Sequence, residues 1–424
     1  MELFCFINMK RILFFVLLQL CLIQIVVSQP VRIAVVSDIH YLSSKLVGDG
    51  DAYRRYVSQT GRDIGDLHAV LDYVIDEISS YGPDILLIPG DLTNHGEADS
   101  HKELLVKLKP LREQGVRVLV VPGNHDVAVP DSRSYVQNKS QPAANISALE
   151  FSSLYSDFGY GDALKRDDAS LSYLTEIDPN TWLLCLDTNR HSEYVTTSLS
   201  SGRILPETLA WALEILADAK QKGVKVLGMM HHGLVEHMPY QTAFFANYIV
   251  DEWRHHAEIL ADAGLQVVFT GHFHANDVTL FTSASGNKLY DVETGSLAQY
   301  PFSYRLMELD GSNLTINSFF VDSLPRIPQL GNKYRTKLEE ISERVIKSRI
   351  DNMNMPMPVQ LKESLTQLLV QMSLHHVAGD EKPDSSMLRL IDNLALIMGD
   401  EDFDMDSFSL DFPPSDNNLT IVLE

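Results

Sequence analysis

A chain of 424 residues with 45 % hydrophobic side chains has the length of two or three domains and ample material for a core, which excludes a disordered polypeptide. Its formal charge of −23 excludes a sequence-independent grip on nucleic acid or on an anionic membrane surface, because such binding rests on neutralising phosphates with Lys and Arg. An anionic substrate then needs local positive charge, which bound metals would supply.

At the N-terminus, Lys10 and Arg11 precede an apolar run from Ile12 to Val27 and then Ser28-Gln29-Pro30, the three parts of a secretory signal cut after Ser28. The expectation is an exported protein, periplasmic or extracellular, with no stable membrane insertion after signal removal. The alternative is a membrane anchor through the same segment, which approaches bilayer-spanning length. Cys5 and Cys21 fall inside it, so the processed chain keeps only Cys185, read as a small buried hydrophobe rather than a catalytic thiol.

Apolar runs rich in Val, Ile and Leu then recur at Val31 to Val36, Ile85 to Ile88, Val116 to Val121, Trp182 to Leu186, Val224 to Met230 and Leu265 to Thr270. They read as buried strands. Helical spacing runs through Ile64 to Ser80, Ser100 to Gln114, Pro206 to Lys222 and Asp251 to Ala263. The alternation predicts an α/β domain with a largely parallel sheet core. Lys288 to Val292, Tyr304 to Leu309 and Leu314 to Val321 read as meander strands completing a sheet, and Val129 to Ser170 as an irregular excursion that shapes the pocket mouth.

After Pro325-Arg326-Ile327-Pro328, the segments Tyr334 to Ile350, Pro358 to Ser373 and Ser386 to Met398 read as helices. From Asp351 onward 14 Asp and Glu face 3 Lys and Arg, a balance that reads as a solvated tail rather than a calcium site. The predicted organisation is a signal at 1–28, a main domain at 31–322, a small helical domain at 329–399 and an acidic tail at 400–424.

Chemistry-bearing residues follow five of the predicted strands: Asp38-Ile39-His40, Gly90-Asp91, Gly123-Asn124-His125-Asp126, His231-His232 and Gly271-His272-Phe273-His274. In open α/β sheets ligands collect at the carboxyl ends of strands, so the five segments are expected to converge. Asp38 and His40 stand two apart and face one side of an extended strand end. Asp91 is a short carboxylate on a tight turn, placed to lie between two ions. Asn124 offers a neutral carbonyl oxygen, His125 can protonate a leaving oxygen, and Asp126 is suited to orient that imidazole. His231, His272 and His274 complete a mixed imidazole and carboxylate set of the kind that activates water at neutral pH.

This ordered set resembles the calcineurin-like metallophosphoesterase superfamily over roughly Val31 to Val321, with all five sequence blocks present. The resemblance implies an α/β fold of the α+β sandwich type, with central β-sheets flanked by helices and here a small C-terminal helical domain. It implies that one divalent metal takes Asp38, His40, Asp91 and His274, and the other takes Asp91, Asn124, His231 and His272, with Asp91 as the bridge. His232 competes with His231 for that place. Mixed N/O ligation suits Mn, Fe, Zn or Co.

Gly90-Asp91-Leu92-Thr93-Asn94, Tyr155 to Tyr160 and Leu186-Asp187-Thr188 further resemble secreted bacterial phosphodiesterases grouped with the class III cyclic nucleotide phosphodiesterases. The expected activity is therefore a dinuclear-metal hydrolase acting on a small-molecule phosphate ester, most closely a diester such as a cyclic nucleotide. A hydroxide bridging the ions would be the nucleophile and His125 the acid. The alternatives are a phosphomonoesterase or nucleotidase using the same site, or a catalytically silent metal-binding or ligand-binding protein. His95, His237, His255 and His256 are within reach of the pocket rim but read as plain surface histidines of helices and loops, outside the candidate site.

Overall fold

The computed structural model describes residues 29–238, 241–352, 357–398 and 411–424. The expected signal and the run Asp400-Glu401-Asp402 with Asp404 lie outside the described residues. Val31–Glu424 forms one compact unit. Among the described residues no helix is long and apolar enough to cross a membrane.

Two mixed sheets carry this unit. The first has the order β15-β14-β13-β1-β2-β3 and is built from β1 (Val31–Val35), β2 (Ile85–Pro89), β3 (Arg117–Val121), β13 (Ser303–Asp310), β14 (Asn313–Phe320) and β15 (Asn418–Val422). The second has the order β11-β12-β10-β9-β8-β7-β6. Its members are β6 (Lys165–Arg166), β7 (Tyr173–Asp178), β8 (Thr181–Leu186), β9 (Lys225–Met230), β10 (Val267–Thr270), β11 (Val278–Thr282) and β12 (Lys288–Glu293). A short hairpin, β4 (Arg133–Ser134) with β5 (Gln141–Pro142), stands apart. Within the sheets β1, β2 and β3 run parallel, as do β8, β9, β10 and β12.

The strand period of two sorts side chains between the two faces of the second sheet. Leu183 and Cys185 of β8, Leu227 and Met229 of β9, and Val267 and Phe269 of β10 join the core between the sheets. Their alternates Trp182, Leu184, Leu186, Val226, Met230 and Val268 pack outward against the helices Pro206–Lys222 and Trp253–Ala263. Both faces are covered, which is why these strands read as unbroken apolar runs. Cys185 is fully buried, and burial pushes its thiol up to about 12, so it packs as a hydrophobe.

Three details differ from the sequence reading. The run at 288–293 does not extend a meander: β12 lies parallel beside β10 in the second sheet, while in the first β13 pairs with β1 and β14 with β13. The excursion over Val129 to Ser170 does not shape the pocket. Its helix Ala148–Leu154 is closed by a reciprocal Ser147/Glu150 cap, and Phe151, Tyr155 and Tyr160 are buried in the inter-sheet core. The end of the expected acidic tail is the edge strand β15, paired antiparallel with β14. Ile421 and Leu423 alternate inward there, a signal too short to stand out beside its polar neighbours.

The C-terminal helices Leu330–Asn352, Val359–His376 and Ser385–Met398 are present as expected. They pack onto the sheet unit: Tyr334 meets Phe302 edge-on at 5.4 Å, and Lys337 Nζ lies 2.9 Å from Asp63 Oδ1.

Candidate metal centre

The seven candidate ligands leave from the carboxyl ends of five parallel strands, drawn from both sheets. Asp38 and His40 follow β1, Asp91 follows β2, Asn124 follows β3, His231 follows β9, and His272 and His274 follow β10. Close approach of these loops depends on glycine. A Cβ at Gly123 would strike the Asp91 main chain and carboxylate, and one at Gly271 would strike the side chains of Ser37 and Asp38. Asp38, His40, Asp91, His272 and His274 all hold positive φ angles, from 46° to 76°. That region is costly for residues with a Cβ, and such strain concentrates at functional sites.

Two groups of side chains result. In the first, Asp38 Oδ1 lies 3.9 Å from His40 Nε2 and 3.4 Å from His274 Nε2, and the two ring nitrogens are 3.2 Å apart. In the second, His231 Nε2 lies 3.2 Å from Asn124 Oδ1 and 3.5 Å from Asp91 Oδ1. The other Asp91 oxygen is 3.6 Å from His40 Nε2, so this one carboxylate faces both groups. His231 Nδ1 donates to the Pro89 carbonyl at 2.9 Å, and His272 Nε2 donates to the Ser200 carbonyl at 2.7 Å. Each ring is thereby oriented by its second nitrogen, the arrangement that fixes metal-binding histidines.

These residues fit two divalent cations. Asp38 Oδ1 is buried without a hydrogen-bond partner, and the side-chain oxygens of Asp91 and Asn124 converge on His231 Nε2. Buried lone pairs that converge in this way are stabilised by a cation. The electrostatics agree. Burial alone would raise the Asp38 carboxyl, yet His274, His231 and the Ser37 hydroxyl outweigh it and hold Asp38 well below the usual carboxylate range. Burial opposes protonation of His231, but the charges of Asp91 and Asp38 lift that imidazole to about 9. His272 is pushed down to about 4 by burial and by His231.

His232 stands beside this set. Its Nδ1 meets Thr188 Oγ1 at 2.7 Å and its ring packs on His272 with centroids 4.4 Å apart. One nitrogen from each of His231, His232 and His272 falls within a common 4.8 Å, but His231 is the one set against Asp91 and Asn124.

His125 reaches the centre through its backbone, whose N–H donates to Asp91 Oδ1 at 2.8 Å. Asp126 does not orient its ring as the sequence reading expected. The Asp126 carboxylate accepts from the main-chain nitrogens of Leu92, Thr93 and Gly123, at 3.1, 2.9 and 2.7 Å, and from Thr93 Oγ1 at 2.9 Å. It ties the Asp91 turn to the Asn124 turn, because a buried carboxylate goes where unpaired N–H donors are. Arg62 meets the ring instead: its Nη2 donates to His125 Nε2 at 2.7 Å, while its Nη1 donates to the Asn94 carbonyl at 2.7 Å. Burial first, then the Arg62 charge, hold the His125 imidazole well below its usual range, so it is neutral.

A cavity of about 600 Å³ lies over the centre; its lining includes Arg62, the ring pair Tyr56 and His95, and the mutually touching rings of Phe245, Tyr248 and Phe273. The sequence reading missed Arg62, which sits in no ligand block. His95 was set aside as a plain loop residue, but it lines the cavity and meets the His125 ring edge-on at 4.9 Å. The helix Leu330–Asn352 touches this lining at Arg62 and at Phe245, since Lys337 Nζ donates to the Arg62 carbonyl at 2.8 Å and the Arg349 guanidinium lies 4.7 Å from the Phe245 ring centre.

A stretch of 94 residues is 36 % identical to a probable cyclic nucleotide phosphodiesterase of Vesicomyosocius okutanii subsp. Calyptogena okutanii (strain HA), covering 22 % of this chain and 33 % of that protein. Another of 60 residues is 40 % identical to a protein of the same description from Ruthia magnifica subsp. Calyptogena magnifica, covering 14 % and 24 %. The match thus spans a third or less of these relatives. Among solved structures, a dimetal phosphatase from Danio rerio superposes with a TM-score of 0.46 at 14 % identity, over 68 % of this chain and 96 % of that one. The calcineurin-like phosphoesterase family matches residues 31–276, more than half of the sequence, and the chain belongs to that family.

Proposed function

We propose that the protein is a phosphodiesterase of the calcineurin-like phosphoesterase family that hydrolyses a small phosphate diester, with a cyclic nucleotide the first substrate to test. The observation that carries this reading is Asp91 set between His40 and His231 beneath a cavity lined by two groups of rings. Two divalent ions, Mn, Fe, Zn or Co, held by Asp38, His40, Asp91 and His274 and by Asp91, Asn124, His231 and His272, would supply an activated water and neutralise phosphoryl oxygens.

The chain's own residues account for the rest. A diester needs a place for each of its two ester groups, and the cavity lining holds two groups of rings, Tyr56 with His95 and Phe245 with Tyr248 and Phe273. Arg62 is held from behind by Asn94 and ends on a neutral ring nitrogen, a weaker acceptor than an anionic oxygen. A phosphate diester entering the cavity offers Arg62 that oxygen. The exchange frees His125 Nε2 and turns the Arg62 charge onto the substrate, so the imidazole can take up a proton from water at Nε2 and pass it to the leaving oxygen. The same reading includes export through the N-terminal segment, tested by N-terminal sequencing of protein recovered from outside the cell, where a mature end beginning at Gln29 is expected.

The test is hydrolysis of bis(4-nitrophenyl) phosphate against 4-nitrophenyl phosphate by protein reconstituted with Mn²⁺, Fe²⁺ or Zn²⁺, with Asp91→Ala as control. Diester preference that disappears in the control supports the proposal. Monoester preference reassigns the protein to the phosphatases or nucleotidases, and absence of turnover with every metal removes the enzymatic reading.

A further inference from the structure

Beyond His274 the same loop enters a second buried cluster. Asp277 is fully buried; its Oδ1 accepts from His237 Nδ1 at 2.6 Å and from Thr279 Oγ1 at 3.0 Å, while its Oδ2 has no hydrogen-bond partner. Toward that oxygen come two pieces of the C-terminal region. The turn after the helix Val359–His376 brings Glu381, whose Oε1 accepts from His376 Nδ1 at 2.6 Å and whose Oε2 is likewise buried without a partner. The segment leading into β15 brings Asp411 and Asp416. One oxygen from each of Asp277, Glu381, Asp411 and Asp416 lies within a common 4.8 Å, and His376 shares a second such grouping with Asp277 and Glu381.

Beside His376, whose Nδ1 lies 2.6 Å from Glu381 Oε1 and 4.0 Å from Asp277 Oδ2, the positive charge nearby is shared with other partners. Arg305 spends its Nη atoms on Ser318 Oγ and on the main-chain carbonyls of Asp416, Glu293 and Asp277, at 2.7, 2.7, 2.6 and 3.4 Å. His237 lies on the far side, between Asp277, Asp291 and Glu293. No Lys or Arg follows Arg389 in the sequence to add a further cation from the chain's end. The backbone is shaped to bring the acids together. Gly379 and Asp380 take φ of 75° and 56°, and a Cβ at Gly379 would strike the carbonyl of Asn276.

We propose that Asp277, Glu381, Asp411 and Asp416 form a third cation site, separate from the dinuclear centre, that takes calcium and fastens the C-terminal region to the loop carrying His272 and His274. Carboxylate oxygens dominate the donor set, the chemistry of a hard cation with flexible coordination. Two imidazoles touch the set, and both are engaged as hydrogen-bond donors, His376 Nδ1 to Glu381 and His237 Nδ1 to Asp277. A cation would give the unpartnered oxygens of Asp277 and Glu381 a partner.

The experiment is calorimetric titration of the full chain, loaded with Mn²⁺, with calcium chloride, paired with thermal unfolding with and without calcium. One calcium per chain and a calcium-dependent rise in Tm are expected. Glu381→Gln, which keeps an acceptor for His376, should weaken calcium binding by about tenfold or more while leaving Mn²⁺-dependent turnover within about twofold. Asp91→Ala should still bind calcium. Absence of calcium binding by the unaltered chain overturns the proposal. So does binding that survives Glu381→Gln unchanged or vanishes in Asp91→Ala, since it would then belong to the dinuclear centre.

Discussion

Two buried constellations of imidazole and carboxylate hang from one stretch of chain, His272 to Asp277, and they are built on opposite charge balances. In the candidate metal centre six histidine rings crowd around two carboxylates, and ring nitrogens face one another, as between His40 and His274 at 3.2 Å. In the second cluster carboxylates outnumber the available cations, and the unpartnered atoms include the oxygens of Asp277 and Glu381. Imidazole-rich sets select borderline transition metals, and oxygen-rich sets select hard ones. The donor set, more than the fold, therefore decides what each can hold, and the two are separable by mutation.

The largest effect expected is on the first constellation. Asp91→Ala removes the carboxylate that faces both groups, so both metals should be lost and turnover should fall to background, as elemental analysis and diester assays will show. His125→Ala leaves all seven candidate ligands in place. Metal content should be retained while kcat falls by about 10²–10⁴-fold, least for substrates with good leaving groups. Arg62→Ala should lower kcat/KM roughly 10- to 100-fold, the equivalent of about 1.5–3 kcal/mol for a hydrogen bond to a charged group. The loss should fall on KM for diesters, with metal content unchanged, which separates anchoring the substrate from holding the ions.

Smaller effects sharpen the seam between the sheet unit and the C-terminal helices. Asp63 meets Lys337 at 2.9 Å, yet burial outweighs that ion pair and lifts the Asp63 carboxyl to about 6. A carboxyl whose folded value exceeds its unfolded one binds its proton more tightly in the folded state. Its stabilising contribution is complete below about pH 4 and is lost as pH rises through about 6. Compared with Asp63→Asn by denaturant titration, the unaltered protein should lose about 2–3 kcal/mol of relative stability between pH 4 and pH 7. A pH-independent difference would show that Lys337 compensates the buried charge fully.

The two constellations also differ in how far they could be read from sequence. Each ligand of the dinuclear centre follows an apolar strand within a few residues, so topology alone predicts that Asp38, Asp91, Asn124, His231 and His272 meet. The strands and the long helices followed from apolar periodicity, with helix Pro206–Lys222 matching its predicted bounds. Nothing comparable marks the second cluster. Asp277 and Asp416 stand 139 positions apart, and their meeting depends on an edge strand, β15, whose short alternation is masked by acidic neighbours. Arg62 was silent for a similar reason, since it lies on an irregular turn where no period constrains the direction of a side chain. Asp126 shows the converse failure. Its adjacency to His125 suggested a partner for the ring, while four nearby donors from Leu92, Thr93 and Gly123 claimed the carboxylate.

The most direct test of the central claim, that Asp91 joins two metals in one centre, is electron paramagnetic resonance of the Mn²⁺-loaded protein. The account predicts the multiline signal of an exchange-coupled pair, absent from Asp91→Ala. A spectrum of isolated Mn²⁺ at full loading, or a coupled signal that persists in Asp91→Ala, would contradict it.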